Sequence, residues 1–235
     1  MPKVVIIDKS KIEEMSEITF SNGFYTYKKS RYSIKLPDEI TEDFAYFLGV
    51  IYGDGSVNTP IKRAEGGFYK KVIITCRKDF LNILLPLIER IFSFKPRVYK
   101  DKRKKDCYNV TMHSSVIYHF LTDVIGLGKG KKAGNLIWLD NLELTRGIFR
   151  NFVTGLLDTD GYINKRYACI VQKDKIYLEK LKLKMNEILD LKFNGPYINK
   201  KINDVPICWW IRTDNVREVL NKIPLRYKGR VAQLG

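Results

Sequence analysis

The chain has 235 residues, of which 45% are hydrophobic, and its 42 basic and 26 acidic side chains give a formal net charge of +16. This length suits one large domain or two fused units of roughly 100 residues, and a surface this positive attracts polyanions, nucleic acid above all. The two histidines, and four cysteines without CxxC spacing, argue against a histidine-based nuclease, a catalytic-triad hydrolase, a zinc site and a disulfide framework.

The sequence shows no sign of membrane insertion or export. It contains no run of about 18 apolar residues, and its first ten residues, MPKVVIIDKS, lack the layout of a signal peptide. We therefore expect a soluble, intracellular protein of the cytoplasm that makes no contact with a membrane.

Residues 1–40 have no counterpart later in the chain. Within them, KVVII and FYTYKKSRYSIKLP predict short strands. The second stretch mixes aromatic with basic side chains, a combination suited to contact with nucleic acid. Two interpretations stay open: a small β module that touches nucleic acid, and an extension that only packs against the rest of the chain.

Residues 41–54 predict an apolar helix, with Thr41 or Asp43 as its N-cap. The helix stops at an Asp-Gly pair, and Gly55 is expected to leave it with a positive φ. Asp54 is unfavourable at this end by a few tenths to about 1 kcal/mol, because the helix dipole is negative there. An interaction that offsets this cost is therefore expected at Asp54.

The next stretch predicts two β-hairpins separated by a helix. In the first hairpin, the returning strand FYKKVIITC alternates between an apolar face, which we assign to the core, and a polar face, which we assign to a ligand. The core face holds Phe68, Val72, Ile74 and Cys76, and the ligand face holds Tyr69, Lys71, Ile73, Thr75 and Arg77. The covering helix spans residues 78–92, and Pro86 is expected to kink it.

The second hairpin has a strongly basic tip at residues 100–105. Its return strand has one apolar face and one face that can hydrogen-bond to base edges. The first face holds Tyr108, Val110 and Met112, and the second holds Asn109, Thr111 and His113. Residues 114–125 predict a closing helix. The glycine-rich, basic stretch at 126–142 lacks the spacing of a phosphate-binding P-loop, so we interpret it as a flexible linker.

The second half of the chain repeats the first. RNFVTGLLDTDGYIN at residues 150–164 matches FAYFLGVIYGDGSVN at residues 44–58, and 106 positions separate Asp54 from Asp160. YACIVQK then matches KVIITCR with an offset of 96, and residues 175–189 predict a second covering helix. GPYIN matches KPRVY, which pairs Ile198 with Val98, and CWWIRTD matches CYNVTMH. The last match pairs Cys208 with Cys107 and favours a shared packing role for the two thiols.

Small residues recur at a spacing of four in both copies of the apolar helix: Gly49 and Gly53, then Gly155 and Thr159. A glycine inside a helix costs roughly 0.8 to 1 kcal/mol relative to alanine, a cost that the close approach of a second backbone would offset. We therefore expect the two helices to pack side by side and in parallel. The order helix, hairpin, helix, hairpin, helix occurs twice and predicts two antiparallel four-stranded sheets related by a pseudo-twofold axis.

LGVIYGDG and TGLLDTDG resemble the two signature helices of the LAGLIDADG homing endonucleases in their single-chain, two-repeat form. Tyr52 and Thr154 depart from the consensus, whereas the glycines, the apolar positions and the terminal aspartates hold. The resemblance implies an α+β fold in which two pseudo-symmetric αββαββα repeats form a saddle of two antiparallel sheets around a central helix pair. The expected divisions are an N-terminal extension at 1–40, a first repeat at 41–125, a linker at 126–142 and a second repeat at 143–235.

The same resemblance implies a site-specific double-strand DNA endonuclease that hydrolyses a long, non-palindromic target with Mg²⁺ or Mn²⁺. Such a protein would work as a monomer associated with the nucleoid. The implied metal ligands are Asp54 and Asp160, completed by a backbone carbonyl such as that of Gly53 or Thr159. The further catalytic positions are Arg77 in the first repeat and Gln172 with Lys173 in the second. Cys76 stands where the first repeat might have offered a glutamine, which predicts unequal half-reactions.

DNA contacts are expected from side chains on the polar strand faces and basic tips: Lys71, Thr75, Lys100, Lys102, Asn109, Thr111, Tyr167, Lys200, Lys201, Trp210 and Arg212. Trp209 or Trp210 could instead belong to the core. Two alternatives to a nuclease stay open. One is a maturase that holds intron RNA, or a non-catalytic nucleic-acid binder, on the same scaffold. The other is a basic structural protein of a nucleoprotein particle, which leaves the duplicated Asp-Gly helices unexplained.

Overall fold

The computed structural model describes residues 5–28, 30–62, 68–102, 104–130 and 145–227. These residues form two units: the first contains residues 5–44 and 54–130, and the second contains residues 45–53 and 145–227. Within the described ranges, no helix is both long and apolar enough to cross a membrane. From residue 131 onward, the predicted linker lies outside the described residues.

The first unit begins with a short helix and a small antiparallel sheet of three strands in the order β1-β2-β3. These elements are α1 (Ser10–Glu13), β1 (Ile18–Ser21), β2 (Phe24–Tyr27) and β3 (Ser33–Ile34). The buried Tyr25 donates a hydrogen bond of 2.7 Å to the Glu13 carboxylate, which ties the sheet to α1. The strand predicted from FYTY is confirmed. The strand predicted from KVVII is wrong in its described part, since Ile6 forms only an isolated bridge with Glu39.

The remainder of the first unit follows the predicted order of helix, hairpin, helix, hairpin, helix. Its elements are α2 (Glu42–Asp54), β4 (Gly55–Val57), β5 (Ile61–Lys62), β6 (Phe68–Tyr69), β7 (Val72–Arg77), α3 (Leu81–Phe92), β8 (Arg97–Lys100), β9 (Cys107–Met112) and α4 (Ser115–His119), which continues as a π-helical turn over Phe120–Val124. Four of the strands form an antiparallel sheet in the order β4-β7-β9-β8.

Burial in β7 confirms the predicted faces, because Val72, Ile74 and Cys76 are buried while Thr75 is partly exposed. The prediction for Phe68 is wrong. The strand breaks after Tyr69, and Phe68 pairs with Lys62 in a separate two-stranded hairpin, where it is 52% exposed. Helix α3 continues through Pro86.

The second unit repeats this order without the extra hairpin. Its elements are α5 (Arg146–Thr159), β10 (Gly161–Ile163), β11 (Ala168–Gln172), α6 (Lys175–Leu189), β12 (Asn194–Ile202), β13 (Val205–Thr213) and α7 (Val216–Lys222). Its sheet has the equivalent strand order, β10-β11-β13-β12. The predicted α+β fold with two αββαββα repeats is therefore confirmed.

The two sheets share their register at the β4 and β10 edges and differ at the opposite edges. Gly55 pairs with Ile74, and at the aligned positions Gly161 pairs with Ile170. By sequence alignment, Ile198 should face Ile211 as Val98 faces Val110, but Ile198 pairs with Trp209 instead. The pairing of β12 with β13 is irregular, with register shifts between Asn194 and Tyr197, between Ile198 and Lys200 and between Lys200 and Lys201, so the sequence alignment at β12 does not carry over to strand pairing.

The predicted close packing of α2 against α5 is confirmed within the second unit. A Cβ added to Gly49 would collide with the Phe152 carbonyl oxygen and lie 3.0 Å from Leu156 N. A Cβ added to Gly53 would lie 2.7 Å from the Thr159 Cβ. Gly49 faces Phe152 and Leu156, whereas Gly53, four residues later, faces Thr159. Because residue numbers increase in the same direction along both helices, the helices are parallel.

Gly55 and Gly161, which follow α2 and α5, do not end these helices through a positive φ as predicted. Neither Gly55 nor Gly161 adopts a positive φ, and each enters a strand directly. At Gly161 the requirement is steric, because a Cβ would lie 2.5 Å from the Leu157 carbonyl oxygen. The glycine lets the strand start against the last turn of α5.

Candidate functional site

The end of α5 holds a carboxylate fixed by an amide. Asp160 caps the helix, and its N–H donates to the Leu156 carbonyl at 2.9 Å. Gln172, the last residue of β11, is only 6% exposed and donates from Nε2 to Asp160 Oδ2. The same amide donates to the Tyr52 carbonyl at 3.4 Å. Gln172 therefore holds the Asp160 carboxylate against the end of α2.

Thr159 and Gly53 lie against each other beside this carboxylate. The Thr159 hydroxyl donates to its own helix, at 2.8 Å to the Gly155 carbonyl and 3.1 Å to the Leu156 carbonyl. The main-chain carbonyls of Gly53 and Thr159 stay predicted ligands of a cation.

Two buried tyrosines, which sequence reasoning missed, support Asp160. Tyr52 and Tyr177 stack with their ring centroids 5.8 Å apart. Burial raises the pKa of both phenols, and the charge of Asp160 contributes to the increase at Tyr177. Both phenols therefore stay neutral, and Asp160 is close enough to Tyr177 for its charge to act on that phenol. In the sequence, Tyr177 is one of several apolar residues with helical spacing, which gives no signal of this role.

In the first unit, Asp54 is the exposed last residue of α2. Its aligned neighbour on β7 is a thiol rather than an amide: burial, and then the charge of Asp54, raises the pKa of Cys76 to about 12. A neutral thiol is a weak hydrogen-bond donor. Cys76 therefore cannot give Asp54 the amide hydrogen bond that Gln172 gives to Asp160.

The two basic catalytic candidates occupy aligned positions in their units. Arg77 is the exposed last residue of β7, and Lys173 is exposed immediately after β11. Each follows directly after the side chain, Cys76 or Gln172, that lies next to the aspartate of its own unit. Their roles in catalysis stay predictions.

The polar face of the first sheet lines a recess of about 430 Å³. It contains four predicted DNA contacts, of which Thr75 donates to Asn109 Oδ1 at 2.8 Å and Thr111 is only 4% exposed. The lining residues are Ser56, Lys71, Ile73, Thr75, Tyr99, Asn109, Thr111 and His113. The recess thus presents amide, hydroxyl, ammonium and imidazole groups to a ligand.

The corresponding face of the second sheet is aromatic. Tyr167 and Trp210 meet edge to face with ring centroids 6.0 Å apart, and Arg212 lies over both rings. Tyr162, which sequence reasoning missed, extends the cluster from β10 at 5.6 Å from Tyr167. Trp209 and Trp210 are both partly exposed, so neither belongs to the buried core.

The predicted phosphate contacts are exposed lysines at the hairpins. Lys100 and Lys102 line a depression at the β8–β9 turn. Lys200 and Lys201 lie near the end of β12. Their exposure leaves these ammonium groups accessible to a polyanion.

The donor set at the helix ends fits a hard divalent cation. Within the described ranges, no group of three or more His, Cys, Asp or Glu side chains is arranged to hold a metal. Mg²⁺ prefers oxygen ligands, retains several waters and is bound through one or two carboxylates plus substrate phosphates. Asp160, with the neighbouring main-chain oxygens, suits that mode of binding.

A second buried carboxylate, Asp158, ties the end of the described chain to α2 and α5. Asp158 is 2% exposed and accepts hydrogen bonds from the Tyr46 hydroxyl at 2.9 Å, from Arg226 N–H at 2.9 Å and from Tyr227 N–H at 3.2 Å. The Arg226 guanidinium stacks 4.2 Å from the Tyr46 ring centroid. Sequence reasoning assigned no role to this carboxylate in LLDTDG.

We expect Asp158→Ala to lower the free energy of unfolding by about 2–4 kcal/mol, because it leaves several buried donors without an acceptor. Urea denaturation monitored by circular dichroism would measure the change. Tyr46→Phe removes one donor and keeps the ring, so it should cost less than Asp158→Ala. Equal stabilities for Asp158→Ala and the unsubstituted protein would contradict this role.

No protein-family model and no curated protein matches the chain. Among solved structures, the chain is similar to variants of the homing endonuclease I-DmoI, with 17% identity and a TM-score of 0.64 over 83% of this chain and 99% of that chain. It is also similar to I-DmoI in complex with DNA and Mn, with 17% identity and a TM-score of 0.61 over 78% of this chain and 97% of that chain. For I-DmoI in complex with DNA and Ca, the identity is 16% and the TM-score 0.62, over 83% and 99% of the two chains.

These similarities establish the class of fold, which is the two-repeat fold of the LAGLIDADG homing endonucleases. One solved protein that shares this fold is I-DmoI, almost all of whose length the similarity covers. The fold implied by the resemblance of the signature helices is thereby confirmed.

Proposed function

We propose that this protein is a site-specific DNA endonuclease that hydrolyses both strands of a duplex with Mg²⁺ or Mn²⁺. The observation that carries the proposal is the Asp160 carboxylate, fixed by Gln172 at the end of one of two closely packed, duplicated helices. I-DmoI, which shares the fold, has been solved with DNA and Mn and with DNA and Ca. The net charge of +16 suits a polyanionic substrate.

Asp54 and Asp160 would each hold a divalent cation, one for each strand, with main-chain oxygens of Gly53 and Thr159 as further ligands. When bound, the divalent ion supplies an acidified water and neutralises charge that develops on the phosphate. The chain's own contribution is positional. Gln172 orients Asp160 through its amide hydrogen bond.

Arg77 and Lys173 provide positive charge next to the two aspartates, where each contacts a phosphate or orders a water. The side chains on the two polar sheet faces bind base edges, and the lysines of the hairpin tips bind the DNA backbone. Base-edge contacts provide sequence discrimination, whereas phosphate contacts provide salt-dependent affinity.

The two sheet faces carry different side chains, so the two halves of the target have different sequences. One chain contains both repeats, so the protein acts as a monomer on a non-palindromic site. Its place in the cell is the cytoplasm, at the nucleoid that contains its substrate. Intron RNA is a second ligand to be tested in the same binding assays.

The two strands are expected to be cut at unequal rates, because Gln172 supports Asp160 while the aligned Cys76 gives Asp54 no amide. Gln172→Met keeps the side-chain length and removes the donor. It should slow cutting of the Asp160-dependent strand by roughly 10- to 100-fold, leave the other strand unaffected and make nicked circles accumulate from supercoiled plasmid. End-labelled strands identify the slow cut. An equal decrease on both strands would contradict the assignment.

The proposed function is tested by incubating the purified protein with a plasmid library of random genomic fragments and Mg²⁺, then sequencing the newly formed ends. The expected result is double-strand breaks at one or a few related, non-palindromic sequences, dependent on the divalent ion. The matched control is Asp54→Asn combined with Asp160→Asn. Binding of DNA without any ion-dependent break would contradict the proposal and favour a binding protein, and binding of intron RNA alone would favour a maturase.

A further inference from the structure

The polar face of the second sheet contains an arginine held in one orientation. Cross-strand partners lie on the same face of a sheet, and Cys169 pairs with both Tyr162 and Arg212. Tyr167 and Trp210 share this face through alternation and pairing. Arg212 thus shares with three aromatic side chains the side of the sheet away from the buried Ile211, and it lies over two of them, Tyr167 and Trp210.

The Arg212 guanidinium is fixed by two kinds of contact. It lies 4.6 Å from the Tyr167 ring centroid and 5.8 Å from that of Trp210. Its Nε and Nη2 donate to Asp214 Oδ1 at 2.9 and 2.6 Å. Stacking sets the plane of the guanidinium, and the carboxylate sets its rotation within that plane.

This arrangement leaves one edge of the guanidinium available. In the described part of the chain, the hydrogen bonds of Arg212 use Nε and one position on Nη2. The N–H groups of Nη1 and the second N–H of Nη2 form a pair of parallel donors. Such a pair matches the O6 and N7 acceptors of guanine in the major groove, the commonest specific arginine contact to DNA.

The ion pair with Asp214 is not explained by stability. The Arg212 and Asp214 side chains are 38% and 68% exposed, and exposed ion pairs contribute little to folding. Orienting the guanidinium before a ligand arrives is the role that remains, since it reduces the entropy lost on binding.

The first sheet differs at the positions aligned with Arg212 and its two aromatic neighbours. The residue aligned with Arg212 is Thr111, and those aligned with Tyr167 and Trp210 are Lys71 and Asn109. These residues line the open polar recess of the first unit. At these aligned positions, only the second unit has an arginine stacked on aromatic rings, and this arginine predicts recognition of a specific base in one half of the target.

We propose that Arg212, oriented by Asp214 and Tyr167, recognises a guanine in the half-site bound by the second unit. The proposal rests on the proposed function only in that the ligand is duplex DNA, and it does not require cleavage. Asp214 is a positioning residue, because it acts through Arg212.

The test is a binding selection from a random duplex library in Ca²⁺, performed with the full chain and its variants and read by sequencing. The unsubstituted protein should enrich a guanine at one position, and Arg212→Met should lower the preference for that guanine by about 5- to 150-fold. Arg212→Lys keeps the charge and should lose most of the preference, while Asp214→Asn should lose part of it. Arg217→Met, an exposed charge removal on α7, should leave the motif unchanged.

A chemical probe locates the contact. Replacement of that guanine by 7-deazaguanine removes N7, and it should weaken binding of the unsubstituted protein but not of Arg212→Met. If a variant still enriches the other bases of the motif, it is folded and binds DNA. A motif unchanged by Arg212→Met, with affinity lowered uniformly, would overturn the proposal and assign Arg212 to a phosphate. Failure to enrich any motif would overturn both this proposal and sequence-specific binding, whereas enrichment without cleavage would contradict only the nuclease.

Discussion

Asp54→Asn and Asp160→Asn are each expected to abolish double-strand cleavage in Mg²⁺, with at least about a 100-fold decrease in the rate of the dependent strand. The amide keeps the shape of the carboxylate but removes the charge that holds a divalent cation. Each single variant should nick one strand, a different strand for each, and the double variant should cut neither. Supercoiled plasmid that carries the mapped target separates the three outcomes on one gel.

The control for this prediction is Glu187→Gln, which removes one exposed carboxylate from α6. It should leave cleavage of both strands unchanged. DNA affinity measured in Ca²⁺ should stay within a few-fold for all variants, so that a lost cut reflects chemistry. A fully active double variant would refute the assignment of the two aspartates.

Gly155→Ala is expected to destabilise the second unit by about 3 kcal/mol or more, because no space exists for a methyl group between the paired helices. The added Cβ would collide with the Tyr46 carbonyl oxygen and lie 2.8 Å from Val50 N. Both obstacles are main chain, so the helices would have to move apart. Thermal and urea unfolding monitored by circular dichroism would measure the loss.

Gly147→Ala is the matched control, since Gly147 is partly exposed in the first turn of the same helix. Alanine is favoured there by roughly 1 kcal/mol, so this variant should be as stable as the unsubstituted protein or more so. A melting temperature unchanged by Gly155→Ala would contradict the close approach of the helices.

The duplicated pattern made most of the fold predictable. Helical spacing of apolar residues gave α6 at its observed bounds, and alternation in VIITCR gave the buried face of β7. The stripe of small residues predicted the parallel pair, because a glycine inside a helix has a cost that only close packing offsets. These signals are local in sequence or repeat at a fixed offset.

What escaped prediction depends on contacts between distant residues. The register of β12 shifts at several points along the strand, and alignment of GPYIN with KPRVY carries no information about these shifts. Phe68 is apolar but lies in a short exposed hairpin, which alternation alone does not distinguish from a core strand. The Asp158 cluster unites residues 68 positions apart along the chain, and no pattern in the sequence links Asp158 to Arg226.

The candidate site, like the fold, could be predicted from the sequence only in part. The aspartates and Gln172 could be found because the repeat and its resemblance identify them. Tyr52 and Tyr177 could not, since a buried tyrosine beside a carboxylate has the same sequence pattern as any core aromatic. The orientation of Arg212 by Asp214 likewise requires distances that only the structure provides.

The most direct measurement is a crystal structure of the protein with its target duplex and Mn²⁺, with anomalous diffraction used to locate the metal. The account predicts Mn²⁺ density at the carboxylates of both Asp54 and Asp160, each ion also bound to an oxygen of a phosphate where a strand is cut. Duplex bound with no anomalous density at either carboxylate, or with the cut phosphates far from both, would contradict it.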